Sequence, residues 1–289
     1  MDMADELKDK VVLLTGATEG IGKAAALELA RRGATLVLVG RNAEKTERVA
    51  AEVRQTGNGR VETIVGDLSK LSDIRAVAAA FKAKHDRLDV LANNAGAVFT
   101  QRILTSDGFE QTFALNHLNY FLLSHELLDV LARTPGARVV STSSGAHRRG
   151  KLGDLDELAY RRGRYSSFSV YSDSKLANVL FTRELAKRVK DKGIVANCFH
   201  PGFVRTGFAQ NNAGTPLAII VRAIGSVLAR TPEKGAETLV WLASSPAGGR
   251  VSGEYFLDCR VAPMSTRARD DEMARRLWAF SEAACGLAP

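Results

Sequence analysis

The chain has 289 residues, of which 45% are hydrophobic and 25% charged, with a formal net charge of +8. This length allows one large globular domain or two small ones, either able to bury a core without staples, and the composition excludes a fibrous or disordered chain. The basic excess is scattered and not interleaved with aromatics, so it implies no nucleic-acid partner.

Cys198, Cys259 and Cys285 are far apart and offer neither metal spacing nor a disulfide framework, which points to a reducing, cytoplasmic setting and to no metal. Residues 1–7 are acidic and lack an apolar core, so no signal peptide is expected. No run approaches the about 18 apolar residues of a spanning helix, so no integral membrane segment is expected. Residues 217–229, broken by Arg222 and Gly225, read as an amphipathic helix over a pocket.

Lys10-Val11-Val12-Leu13-Leu14 reads as a first strand. It runs into Thr15-Gly16-Ala17-Thr18-Glu19-Gly20-Ile21-Gly22, then into an Ala- and Leu-rich helix over 23–32 closed by Gly33. Strand, glycine turn and helix in that order suit a pyrophosphate. Glycine lets the backbone approach it closely, and the free N–H groups at the helix start favour its charge. A second strand, 35–39, ends in Gly40-Arg41-Asn42. No carboxylate stands there to hold a ribose 2′-hydroxyl, and Arg41 can fork onto a 2′-phosphate. NADP(H) is therefore favoured and NAD(H) kept as the second choice, with Glu19 working against the phosphate. A helix over 43–55 and a strand over 61–65 lead to Asp67, which can accept from an adenine amino group or cap the helix that begins near Ser69.

A fourth strand, 89–92, enters Asn93-Asn94-Ala95-Gly96. The small residues let a cofactor ring lie against the backbone, and the asparagines can also tie strand ends together. A long helical pattern running to Arg133 holds Asn116, which needs a bonding partner in so apolar a helix. The fifth strand, 137–142, ends in Ser143-Ser144-Gly145, and the polar stretch 151–169 reads as an exposed insert at the rim of the site. Tyr171-Ser172-Asp173-Ser174-Lys175 then opens an apolar-periodic helix. Positions i and i+4 share a helix face, so the Tyr171 phenol and the Lys175 ammonium project into one space. A fixed positive charge there lowers a phenol's pKa toward proton transfer.

A sixth strand, 194–199, is followed by His200-Pro201-Gly202 and an apolar segment, 211–230. Thr231 and Pro232 open another helix, 254–258 is a last strand, and 267–285 is an amphipathic terminal helix. His117, His147 and His200 have no ligand cluster about them and read as structural. The alternation predicts an α/β protein: one Rossmann-type doubly wound parallel sheet with helices on both faces, a single domain over 1–289. Ligands of such sheets lie at the C-terminal strand ends, where the glycine turn, Arg41, Asp67, Asn94, Ser144 and Pro201 all fall.

On these motifs the chain resembles the short-chain dehydrogenase/reductase family over essentially its whole length. The matching residues are Thr15-Gly16-(x)3-Gly20-Ile21-Gly22, Asn93-Asn94-Ala95-Gly96, Asn116, Ser143-Ser144, Tyr171-(x)3-Lys175, and Pro201-Gly202 with Thr206 beyond. Their order resembles the single-domain branch. The run 171–181 and the insert before it resemble the retinol-dehydrogenase-like subgroup. Membrane-bound members of that subgroup carry an N-terminal hydrophobic anchor that this sequence lacks, which argues against a retinoid substrate.

The resemblance implies an NAD(P)-dependent oxidoreductase that moves a hydride between a nicotinamide and a small-molecule carbonyl or alcohol. It implies Tyr171 as general acid/base, Lys175 as the residue that lowers its pKa and binds the nicotinamide ribose, Ser144 as donor to the carbonyl or alkoxide oxygen, and Asn116 as holder of a relay water. The implied cofactor contacts, besides Tyr171 and Lys175, are Gly16, Thr18, Glu19, Gly20, Ile21, Arg41, Asp67, Leu68, Asn94, Ala95, Gly96, Pro201, Gly202, Val204 and Thr206. Substrate-pocket segments are expected at 147–170 and 203–230, and a homo-oligomer, most simply a dimer, through the helices 107–133 and 171–189. The alternative is a nucleotide-binding sensor or scaffold of the same fold without turnover. The complete Ser, Tyr, Lys and Asn set speaks against it.

Overall fold

The structure is a computed structural model that describes residues 6–56, 60–153, 155, 165–204 and 229–287. They hold an eight-stranded sheet in the order β3-β2-β1-β4-β5-β6-β7-β8. Its strands are β1 (Val11–Thr15), β2 (Thr35–Gly40), β3 (Val61–Val65), β4 (Val90–Asn93), β5 (Arg138–Thr142), β6 (Val195–His200), β7 (Tyr255–Leu257) and β8 (Arg260–Val261). All neighbours pair in parallel except β7 and β8. The strand order reverses between β1 and β4, which opens a crevice at their C-terminal ends.

Burial on both faces explains the continuous apolar strands. All five residues of β1 are buried. Val11 and Leu13 point to one helical layer, Val12 and Leu14 to the other, as a period of two requires. One layer is α1 (Gly20–Arg31), α2 (Ala43–Arg54) and α8 (Pro232–Ser244). The opposite layer holds α3 (Leu71–Lys82), α5 (Asn119–Glu126), α6 (Leu128–Arg133), α7 (Ser167–Arg188) and α9 (Asp271–Ala284). Asn42 caps α2 by accepting from Lys45 N at 2.8 Å, and Thr231 caps α8 with Pro232 behind it.

The structure departs from the expected elements in three places. The helix expected to run unbroken to Arg133 consists of α4 (Gln111–Phe113), a π turn over Ala114–Leu118, then α5 and α6. Strand β8 was not anticipated, since two exposed residues carry no alternation to read. The terminal helix is a 3-10 turn at Arg267–Arg269 followed by α9.

Helix α9 packs on α7 and α5. The Trp278 ring lies parallel to Phe181 at 6.0 Å and 13° and meets Phe121 edge-on at 4.9 Å and 73°. Helix α9 thus covers the Phe121 and Phe181 positions of α5 and α7 within the chain. No helix among the described residues is long and apolar enough to cross a membrane. The helix expected over 217–229, but for its last residue, lies outside the described residues, as do Thr206 and most of the insert before Tyr171.

Candidate active site

The cradle at the end of β1 is held by Thr15, the first residue of the glycine motif, whose side-chain role has no signal in the sequence. Thr15 Oγ1 accepts from the N–H groups of Asn94 (2.9 Å) and Ala95 (3.0 Å) and donates to Ala92 O (3.3 Å). Asn94 completes the tie. Its Nδ2 donates to Thr15 O and Gly16 O at 3.1 and 3.2 Å, and its Oδ1 accepts from Thr142 at 3.3 Å. The Asn94 side chain is thus used to join β1, β4 and β5.

Two glycines are required by space. At Gly16, where φ is +66°, a Cβ would lie 2.7 Å from Ala95 Cα, and at Gly22 it would lie 2.0 Å from Gly16 O. The N-cap of α1, Glu19, is exposed and makes no side-chain cap. The first N–H groups of the helix are left for a ligand, and an anion is the ligand they favour. Ile21 and Val204 converge over Gly235, whose added Cβ would meet them at 3.2 and 2.6 Å. These features fit the pyrophosphate of a dinucleotide.

The end of β2 bears on the ribose. A Cβ on Gly40 would stand 2.2 Å from Thr46 Oγ1 and 2.9 Å from Thr18 Cγ2, so this position admits no carboxylate. Arg41, the next residue, is exposed. Asp67 Oδ1 accepts from Ser69 N at 3.1 Å and from Ser69 Oγ at 2.8 Å, so it closes a local turn and does not cap α3, whose N-cap is Lys70. Leu68 beside it is buried. Pro201 and Gly202 follow β6. Gly202 has φ +84° and faces the guanidinium of Arg230, which pairs with Asp258.

The four expected reactive residues come together behind this cradle. The Ser144 side chain lies beside the Tyr171 hydroxyl, where it favours the ionised phenol. Ser144 Oγ also accepts from Ala146 N at 3.2 Å. Lys175 Nζ lies 5.6 Å from the centroid of the Tyr171 ring and donates to Thr142 O at 3.1 Å. Asn116 sits fully buried in the π turn, a local widening that often marks functional sites. Its Oδ1 accepts from Ala97 N at 2.8 Å, and its Nδ2 donates to Ala97 O and Ser174 Oγ, both at 3.0 Å. Ser174 Oγ in turn donates to Tyr171 O at 2.8 Å. A Cβ on Gly96 would reach within 3.0 Å of Asn116 Oδ1 and 3.5 Å of Lys175 Nζ, so bare backbone faces both. Ser174 went unread in the sequence because its spacing matched no motif. Its role is visible only once α7 lies against the π turn.

The electrostatics run against one expectation. Burial pushes the Tyr171 phenol up, and the Ser144 side chain beside it only partly opposes this. Lys175, buried with no carboxylate against it, is pulled down from its ordinary value to about 7. The depression of Tyr171 by Lys175 is therefore not a property of these side chains alone. The three histidines lie low for the same reason: burial draws His117 to about 3 and His200 to about 4, and lowers His147. Among the described residues, no group of three or more His, Cys, Asp or Glu side chains converges to hold a metal ion.

A doubly wound sheet with a dinucleotide cradle and a Tyr–Ser–Lys cluster on one edge is the architecture of nicotinamide-dependent oxidoreductases. The short chain dehydrogenase family model matches residues 10–216, and the chain belongs to that family. It is 39% identical over 282 residues to retinol dehydrogenase 13 of Homo sapiens, covering 96% of this chain and 85% of the relative. To Homo sapiens retinol dehydrogenase 12 it is 41% identical over 277 residues, covering 96% and 86%. It superposes on a crystal structure from Mycobacterium paratuberculosis with a TM-score of 0.79 at 34% identity, over 99% of this chain and 96% of that one. On the Pseudomonas aeruginosa RhlG/NADP complex the TM-score is 0.71 at 26% identity, over 89% and 97%. The protein is thus an NAD(P)-dependent oxidoreductase of the retinol-dehydrogenase-like subgroup.

Proposed function

We propose that the enzyme reduces an apolar aldehyde or ketone with NADPH, using Tyr171 as general acid, Ser144 as the second donor to the carbonyl oxygen, and Lys175 and Asn116 as their support. The observation that carries this is Lys175 Nζ 5.6 Å from the Tyr171 ring on one helix face, with the Ser144 side chain beside the phenol. Two hydroxyls converge there, as a developing alkoxide needs. When bound, the nicotinamide cofactor supplies the hydride.

The raised pKa of Tyr171 suits reduction, because the phenol stays protonated at neutral pH and holds the proton that the alkoxide takes. Lys175, near 7, becomes an ammonium readily beside negative charge and then stabilises the phenolate left behind. Asn116 clamps the backbone at Ala97 and, through Ser174, the turn that carries Tyr171. The bare Gly40 and the exposed Arg41 support the choice of NADPH.

Ile103, Leu104, Phe168 and Phe203 remain 43% to 56% exposed on segments at the C-terminal edge of the sheet, which supports an apolar substrate. Cys198, Cys259 and Cys285 are all free thiols, in keeping with a reducing cytoplasm. The test is a panel of aldehydes and ketones of increasing chain length, assayed with NADPH and NADH. Wild type turns over the longer members with NADPH, and Tyr171→Phe loses about 10²- to 10⁴-fold in kcat while still binding NADPH. Near-normal turnover by the Phe variant with chemistry rate-limiting refutes the assignment.

A further inference from the structure

His147 is fully buried, and both its ring nitrogens are in use. Nε2 accepts from Ser265 N at 3.3 Å, which fixes the tautomer and leaves the proton on Nδ1. Nδ1 lies 2.8 Å from Ser144 O and therefore donates to it. The same carbonyl also receives His147 N at 3.1 Å, so Ser144 O takes two bonds from one residue. The imidazole packs on the Tyr255 ring at 4.7 Å and 57°, which fixes its orientation from β7. From the other side, His200 closes on the same turn: a Cβ on Gly145 would stand 3.2 Å from its Nε2. Ser144 itself is extended, with φ −160° and ψ 157°, and its Oγ is held by Ala146 N.

We infer that His147 is a positioning residue for the Ser144 hydroxyl: by holding the Ser144 carbonyl from a ring that Ser265 and Tyr255 lock, it sets the peptide from which Ser144 Oγ meets Tyr171. The inference rests on the reading of Ser144 and Tyr171 given above. Nothing about the 3-10 turn Gly145–Arg148 requires an imidazole, because its main-chain bonds form with any side chain. What the imidazole adds is a link from the Ser144 peptide to the loop after β8, which Arg148 also grips by donating to Pro263 O at 2.6 Å. This makes the C-terminal segment part of the scaffold behind the reacting hydroxyl. A misplacement of about 1 Å in such a scaffold costs as much as 10²-fold in rate.

Two substitutions separate positioning from plain packing. Asn carries an amide N–H near the place of Nδ1 and can still donate to Ser144 O. Gln reaches the place of Nε2 and can still accept from Ser265 N, but it leaves the Ser144 carbonyl without its side-chain donor. His147→Asn is expected to keep most of the wild-type kcat on the best carbonyl of the panel. His147→Gln is expected to lose about 10- to 100-fold in kcat, with KM for NADPH and the NADPH Kd from fluorescence quenching unchanged. In a Ser144→Ala background, His147→Gln should cost nothing further, since residues that act through one group are not additive.

Equal kcat for the Asn and Gln variants, or a Gln loss that persists undiminished in Ser144→Ala, overturns the inference. So does recovery of both variants only as unfolded chain, because His147 would then be purely structural. Ser144→Ala with wild-type kcat overturns instead the reading of Ser144 on which the inference rests, and the two failures are told apart by that single control.

Discussion

Lys175 Nζ stands 5.6 Å from the centre of the Tyr171 ring and gives a hydrogen bond to Thr142 O at 3.1 Å. It is 3% exposed, and burial brings it down to about 7. In the unfolded chain the same amine titrates near 10.5. Between those values the native state binds fewer protons than the unfolded state, so the contribution of Lys175 to stability rises with pH across that window and is flat below it. The cofactor-free stability of wild type minus that of Lys175→Met, taken from urea unfolding at a series of pH values, is expected to climb from pH 7 toward 10. A difference that stays level means that the buried amine keeps its proton throughout.

Ser172 and Ser174, two residues apart on α7, are both buried and should respond oppositely to truncation. Ser174 Oγ takes the Asn116 amide and gives its proton to Tyr171 O, whereas Ser172 Oγ makes no hydrogen bond. Ser174→Ala should lose about 1–3 kcal/mol of stability by stranding the Asn116 donor. It should also lower kcat, since it loosens the link between Asn116 and the Tyr171 turn. Ser172→Ala removes an unsatisfied hydroxyl and should be neutral or stabilising. Equal effects of the two on urea midpoint and kcat argue that Asn116 does not act through Ser174.

The sheet and the cradle were legible because they rest on local chemistry. Continuous apolar strands of five or six residues need two covered faces. A glycine where a Cβ would meet Gly16 O at 2.0 Å leaves a fixed mark in the sequence. The π turn around Asn116 was not legible, since a one-residue widening does not alter an apolar period over so short a span. Nor was Thr15, whose three bonds join segments more than 70 residues apart. Helical spacing shows that Lys175 is the neighbour of Tyr171, but not the burial that raises the phenol in this structure. His147 read as structural for a like reason: its partner Ser265 lies 118 residues away.

The terminal helix was legible, but not the face it covers. Trp278 rests on Phe181 and Phe121, its Nε1 donates to Glu282 Oε1 at 2.7 Å, and the Arg188 guanidinium lies 4.4 Å over its ring. With α9 seated there, the Phe121 and Phe181 side chains of α5 and α7 are covered within the chain. Trp278→Ala should therefore lose about 3–5 kcal/mol in urea unfolding, as for other large-to-small core changes. Deletion of residues 270–289 should increase self-association over the full chain in light scattering, because it uncovers contiguous apolar surface. A truncated chain that self-associates no more than the full one and is as stable shows that α9 is not what closes this face.

Cofactor choice turns on the end of β2. Gly40 can carry no side chain, with Thr46 Oγ1 2.2 Å and Thr18 Cγ2 2.9 Å from its would-be Cβ, so the carboxylate that would hold a ribose 2′-hydroxyl has no room at that position. Arg41 follows, exposed, at the end of β2, where we propose it meets the 2′-phosphate. Glu19, also exposed, opposes a phosphate from the start of α1. A charge-assisted bond from Arg to phosphate contributes about 1.5–3 kcal/mol, or roughly 10- to 150-fold. An exposed guanidinium belongs at the low end of that range because solvent screens it. Arg41→Ala should therefore raise KM for NADPH by about one decade and leave NADH nearly unchanged. Glu19→Gln should shift preference the other way, toward NADPH. Both effects should shrink as ionic strength rises toward about 1 M, where the screening length falls to about 3 Å. Equal losses for the two cofactors in Arg41→Ala, or a wild-type preference for NADH, remove Arg41 from the site.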